Sequence, residues 1–93
     1  MSTYVIVEAS VRDKAARDRY GSLVGPTLRK FDGEVLAVGP WQVLSGEPAF
    51  ENGMVIRFPD KAKALDWYHS SDYQALLELR DAALDCRFRV VGS

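Results

Sequence analysis

The chain opens on TYVIVEA (residues 3–9), a β-branched and aromatic run with the period of a strand. The period then lengthens. Ala16, Tyr20, Leu23, Val24, Leu28 and Phe31 recur at helical spacing, with Arg17, Asp18, Arg29 and Lys30 on the other side and Asp13 placed to cap the start. Gly25-Pro26 removes a backbone donor inside that helix and predicts a kink or two stacked pieces, and Gly33 suits the helix stop. EVLAVG (34–39) reads as a second strand, which WQVL (41–44) continues past an irregularity at Gly39-Pro40. The turn formers of SGEPAFENG (45–53) lead into a third strand, MVIRF (54–58). Pro59-Asp60 opens a short helix bearing Ala64, Leu65 and Tyr68; SSDYQALLELR begins another; CRFRVV (86–91) alternates as a last strand.

The order β-α-β-β-α-β is the ferredoxin-like, split βαβ plan, an α+β fold with both helices on one face of a four-stranded antiparallel sheet. Strands one and three take the centre and strand four flanks strand one. Alternation sorts the strand residues into two faces. Val5, Val7, Met54, Ile56, Phe58, Cys86, Phe88 and Val90 form an apolar set, the expected core beneath the helices. The opposite set is Tyr4, Ile6, Glu8, Val55, Arg57, Arg87, Arg89 and Val91. Its apolar members leave a sheet face that water does not suit, and the chain has no further element to cover it. A second copy would, so the pattern predicts a homodimer paired through the sheet faces.

Composition narrows the function classes. At 93 residues, residues 1–93 are expected to form one ferredoxin-like domain, and a chain of this length buries roughly 60–65% of its unfolded surface. Twelve basic and 13 acidic residues are scattered along it for a net charge of -1, so no basic stripe favours nucleic acid. No apolar run is long enough to span a membrane and no signal-peptide pattern opens the chain, so a cytoplasmic protein is expected. Cys86 stands alone, which excludes an internal disulfide framework. One histidine and one cysteine fall short of a zinc site, and the glycines form no phosphate loop, so neither a metal nor a nucleotide cofactor is expected.

The stretch WYHSSDYQALLELR (67–80) resembles the Trp-Tyr-x-Ser-x-x-Tyr-Gln-x-Leu-x-x-Leu-Arg signature of the family called domain of unknown function thirteen-thirty. The resemblance extends to YVIVEASV at the start, GPT at 25–27, Gly33 and VLSG at 43–46, in order over nearly the whole chain. It implies a ferredoxin-like protomer of the dimeric α/β-barrel superfamily, in which two sheets face each other. The wider superfamily includes cofactor-free monooxygenases, lactone isomerases and haem-dependent enzymes. The family has no agreed activity, so the resemblance carries a fold and no reaction. Ser71 stands where the family often has proline and His69 where it often has asparagine or aspartate, so the resemblance assigns His69 no family-wide chemistry.

Glu8 is the leading candidate. Read with strand three running parallel to strand one, its carboxylate falls near Arg57 and Arg87, a cluster suited to an acidic or carbonyl-bearing ligand. The structural alternative is an interface ion-pair cluster that fixes dimer register. His69 has the chemistry of a general base or an axial haem ligand, but it ends a short helix, where a cation gains about 0.3–1 kcal/mol from the helix dipole. Ser71 with Gln74 makes a capping box, while the family pattern favours Ser70 as the cap; no nucleophile elbow surrounds either. Tyr73, Leu76, Leu77, Arg80 and Leu84 share a helix face, so Tyr73 is expected on the sheet. There it meets Tyr20 at a pocket between helices and sheet. Trp41 is an interface anchor or part of a ligand lid.

The leading functional expectation is a homodimer that binds a small organic ligand, through Tyr4, Glu8, Tyr20, Trp41, Arg57 and Arg87, at the sheet face or in the helix-sheet cavity. A cofactor-independent oxygenase or isomerase using Glu8, Arg57, His69 or Tyr4 is the first alternative. A structural dimerisation module without ligand is the second.

Overall fold

Four antiparallel strands form one sheet in the order β2-β3-β1-β4. The strands are β1 (Thr3–Val11), β2 (Glu34–Pro40), β3 (Asn52–Phe58) and β4 (Leu84–Gly92). The helices are α1 (Lys14–Arg29), α2 (Lys61–His69) and two short pieces, α3 (Ser71–Gln74) and α4 (Leu77–Ala83). This computed structural model describes residues 2–47 and 49–92, so Pro48 of the turn-rich segment and the two terminal residues lie outside the described part. Among the described residues no helix is long and apolar enough to cross a membrane.

Alternation sorted the strand faces correctly. Val5, Val7, Ile56 and Phe58 are buried under the helices with Tyr20, Leu28, Trp67 and Tyr73, and Met54 and Phe88 pack against them. Val90 is 37% exposed because β4 is an edge strand. The shortest dimension of the backbone is 16 Å, the thickness of two layers, so among the described residues no third layer covers the far side of the sheet.

Several local expectations change. The Asp13 carboxylate accepts from the Ala16 amide at 3.1 Å as expected, but α1 runs as one helix through Gly25-Pro26. Buried Thr27 and Leu28 hold the turn after the proline, and the Trp67 indole donates to the Thr27 hydroxyl at 3.0 Å. The helix stop uses Asp32, not Gly33, as its left-handed residue (φ 60°), with Gly33 N–H donating back to the Leu28 carbonyl at 2.9 Å. Gly33 is glycine for space: a Cβ there would fall 2.8 Å from the Phe58 ring. Residues 41–44 do not continue β2, and the irregularity falls between Val35 and Ala37 rather than at Gly39-Pro40. Ser70, not Ser71, caps α3, its Oγ accepting from the Tyr73 amide at 3.2 Å. Gln74 instead donates to the Tyr68 carbonyl.

Candidate functional site

The candidate ligand-binding residues fall on two sides of the sheet. On the outer face, Glu8 sits opposite Arg87 on β4 and opposite Gly53 on β3. Its carboxylate, 20% exposed, accepts from Arg87 Nε at 3.0 Å and from Arg89 Nη2 at 2.9 Å. Arg57 is absent from this cluster. β3 runs antiparallel to β1, not parallel, which puts Arg57 opposite Tyr4, four residues and about 13 Å along the strand from Gly53. There Arg57 Nε donates to the Ser2 hydroxyl at 3.1 Å. Arg89 fills the role expected of Arg57 by reaching back from its position opposite Ile6.

Aromatic groups from the β2–β3 connection border this cluster. The Trp41 indole lies over Gly53, where a Cβ would come within 2.0 Å of its ring, and Gly53 shares its face with Glu8. The Arg87 guanidinium stacks 5.3 Å from the Phe50 ring centre. His69 belongs to neither side of the sheet: it is an exposed residue ending α2, with its ring edge-on to Tyr68.

Beneath α1, on the inner face, lies a cavity of about 430 Å³. Val7, Val24, Leu28, Met54, Ile56 and Phe88 are among its walls, with Tyr20 and Trp67 as the ring-bearing groups of the helical layer. Arg17 is the one charged side chain lining it among the described residues, and no carboxylate or imidazole does so. Gly21 and Gly25 expose backbone on the helix side of the same space. A Cβ at Gly21 would meet nothing within 4 Å, and one at Gly25 only the end of the Arg29 side chain at 3.6 Å. Glycine inside a helix costs roughly 0.5–1 kcal/mol relative to alanine. Gly25 also precedes Pro26, whose ring crowds the Cβ of the residue before it. Gly21 has neither reason: it is exposed, and its backbone lines the same space.

From Tyr20 in the cavity wall a chain of hydroxyls runs away from the cavity. Tyr20 and Tyr73 hydroxyls lie 2.7 Å apart, and Arg80 Nη1 donates to Tyr73 at 3.3 Å and to Tyr68 at 3.0 Å. Burial raises the pKa of Tyr20 well above the usual phenol value, and the neighbouring Tyr73 adds to the shift. Burial also raises that of Tyr73, against the opposing influence of Tyr20 and Arg80. Burial works against the charge of Arg80, but its bonds to Tyr68 and Tyr73 hold its pKa above the ordinary value. The guanidinium also stacks 5.0 Å from the Phe88 ring centre. Burial lifts the Cys86 thiol as well, which disfavours its reactive thiolate. The sequence placed Tyr20 and Tyr73 together and Arg80 on the helix face of Tyr73 without a role, and it did not single out Gly21. The signal for Arg80 was a charge within an otherwise apolar helical stripe; for Gly21 it was a helix-interior glycine outside any turn.

A family profile described as Domain of unknown function (DUF1330) matches residues 2–93. The chain belongs to this family. Nothing among curated proteins matches it. A protein of unknown function from Rhodopseudomonas palustris, 18% identical, superposes with a TM-score of 0.79 over 97% of this chain and 80% of its own. A dimeric ferredoxin-like protein of unknown function from Jannaschia, 15% identical, gives 0.69 over the full length of both chains. SnoaB, a cofactor-independent oxygenase from Streptomyces nogalater, gives 0.72 over 99% and 92% at 5% identity. At such identities the likeness establishes the ferredoxin-like fold of this DUF1330 member and nothing of its chemistry.

Proposed function

We propose that this DUF1330 protein is a homodimer that binds a small, largely apolar organic molecule between α1 and the sheet. The observation that carries the reading is the 430 Å³ cavity beneath α1, lined on the helix side by a glycine that packing does not require. Its volume lies within the roughly 300–1,000 Å³ usual for ligand pockets, and its apolar wall with few polar groups matches their usual lining. The outer face is the dimer surface in this reading. Tyr4, Ile6 and Val55 are half-buried there without a covering layer, and Val91 is 58% exposed. Glu8, Arg87 and Arg89 supply an ion cluster that fixes register in such an interface. The Jannaschia neighbour, described as dimeric, supports a dimeric assembly.

The cavity favours binding over the oxygenase or isomerase alternative. Of the residues considered for catalysis, Glu8 and Arg57 stand on the opposite face of the sheet, and His69 is at an exposed helix end. No carboxylate or imidazole among the described residues lines the cavity to act as a base.

Tetralin, a bicyclic hydrocarbon, tests the reading. Binding is expected to shift the backbone NMR signals of Val7, Val24 and Met54. Gly21→Leu should fill the mouth of the cavity and abolish those shifts while leaving the protein folded and at least as stable. Absence of any shift at the solubility limit of tetralin overturns the proposal.

A further inference from the structure

The direction of the hydrogen-bond chain behind the cavity specifies what a ligand must carry. Arg80 has only donors to offer. Tyr73 therefore accepts from Arg80, and its own proton needs an acceptor because the residue is fully buried. The oxygen of Tyr20, 2.7 Å away, is within reach to accept it. If instead Tyr20 donated to Tyr73, the Tyr73 proton would be left facing the packed rings of Trp67, Tyr68 and Phe88. Leaving a buried donor unpaired costs on the order of 1–3 kcal/mol. With Tyr73 donating, the free proton of the pair belongs to Tyr20, which lines the cavity where Tyr73 does not. Tyr20 is only 8% exposed, so that proton is shielded from bulk water, and the cavity that Tyr20 lines is the space we assign to it. Its raised pKa keeps it in the neutral, donating form at ordinary pH.

We infer that Tyr20 is a hydrogen-bond donor aimed into the cavity and that the ligand class is an apolar ring compound bearing a carbonyl oxygen. This rests on the cavity being the binding site and adds to it the polar group that orients the ligand. Arg80 and Tyr73 are positioning residues: they orient the Tyr20 hydroxyl and do not touch the ligand. A ring hydrocarbon fills the same walls but leaves the Tyr20 proton without a partner, so it binds more weakly than the ketone of equal shape.

Paired titrations with 1-tetralone and tetralin separate the two levels of the proposal. The wild-type protein is expected to prefer the ketone by about tenfold, the ratio one neutral hydrogen bond supplies. Tyr20→Phe should bind both compounds with equal affinity, close to that of tetralin for the wild type. Tyr73→Phe should retain the ketone preference at a reduced ratio, since Tyr20 keeps its free proton but loses the group that orients it. The carbonyl stretch of bound 1-tetralone should move to lower frequency in the wild type, a readout that needs no variant should Tyr20→Phe fail to fold. Equal binding of both compounds by the wild type overturns the donor assignment and leaves the cavity reading standing. A ketone preference that survives in Tyr20→Phe, appears only in Tyr73→Phe, or comes with an unshifted carbonyl stretch also overturns the assignment. Binding of neither compound overturns both.

Discussion

Tyr20 and Tyr73 show how far a buried phenol departs from a solvated one. Their hydroxyls share a hydrogen bond in the interior, and burial favours the neutral form of each. In the unfolded chain both ionise near pH 10, while in the folded chain both keep their protons above it. The unfolded state therefore binds fewer protons in that range, and stability falls as pH rises past 10. Below pH 10 this contribution is fully present. Denaturant midpoints are expected to be flat from neutrality to about pH 9 on this account and to fall beyond pH 10. In absorbance titration, two of the four tyrosines should ionise only with unfolding. If all four titrate together near pH 10 in the native protein, the buried pair is misassigned. At this scale the sequence showed an aromatic pair at compatible helical positions. It put Arg80 on the helix face of Tyr73 but did not show the bond to the hydroxyls, because that contact depends on how α4 sits against α2 and the sheet.

Among the elements, α1 and the stretch after α2 are the informative ones. Asp13 caps α1 as its position implied, yet the helix survives Gly25-Pro26 uninterrupted because Thr27 and Leu28 are anchored in the core. Gly21 weakens the same helix at a point where a side chain would fit. Gly21→Ala is therefore expected to raise stability by about 0.5–1 kcal/mol, measured as a higher urea midpoint with an unchanged slope. A destabilised variant would show that some contact depends on the bare glycine. WYHSSDYQALLELR makes the end of α2, the short α3 and the start of α4: Trp67 and Tyr73 go to the core, Ser70 to the cap, and Arg80 to the hydroxyl chain. Helical periodicity exposed its core positions. The break into separate turns was not legible, since it follows from Ser70 switching the backbone to an extended conformation.

For the whole molecule, the two faces of the sheet divide the proposed functions. The inner face carries the cavity; the outer carries Glu8 with its two arginines and the uncovered Tyr4, Ile6, Val55 and Val91. Light scattering at micromolar concentration is expected to give a dimer, and Val55→Asp a monomer with its circular dichroism intact, because the new carboxylate lies opposite Ile6 on the proposed interface. A wild-type monomer would remove the dimer reading. By itself the sequence determined the strand count, the helix positions, the two sheet faces and the family, because alternation, helical spacing and ordered motifs are properties of neighbours along the chain. The tertiary structure was needed to show that Arg89 rather than Arg57 meets Glu8 and that a cavity opens beneath α1. Those facts depend on strand direction, on register, and on the space left between packed layers, none of which is encoded in the period of a single segment.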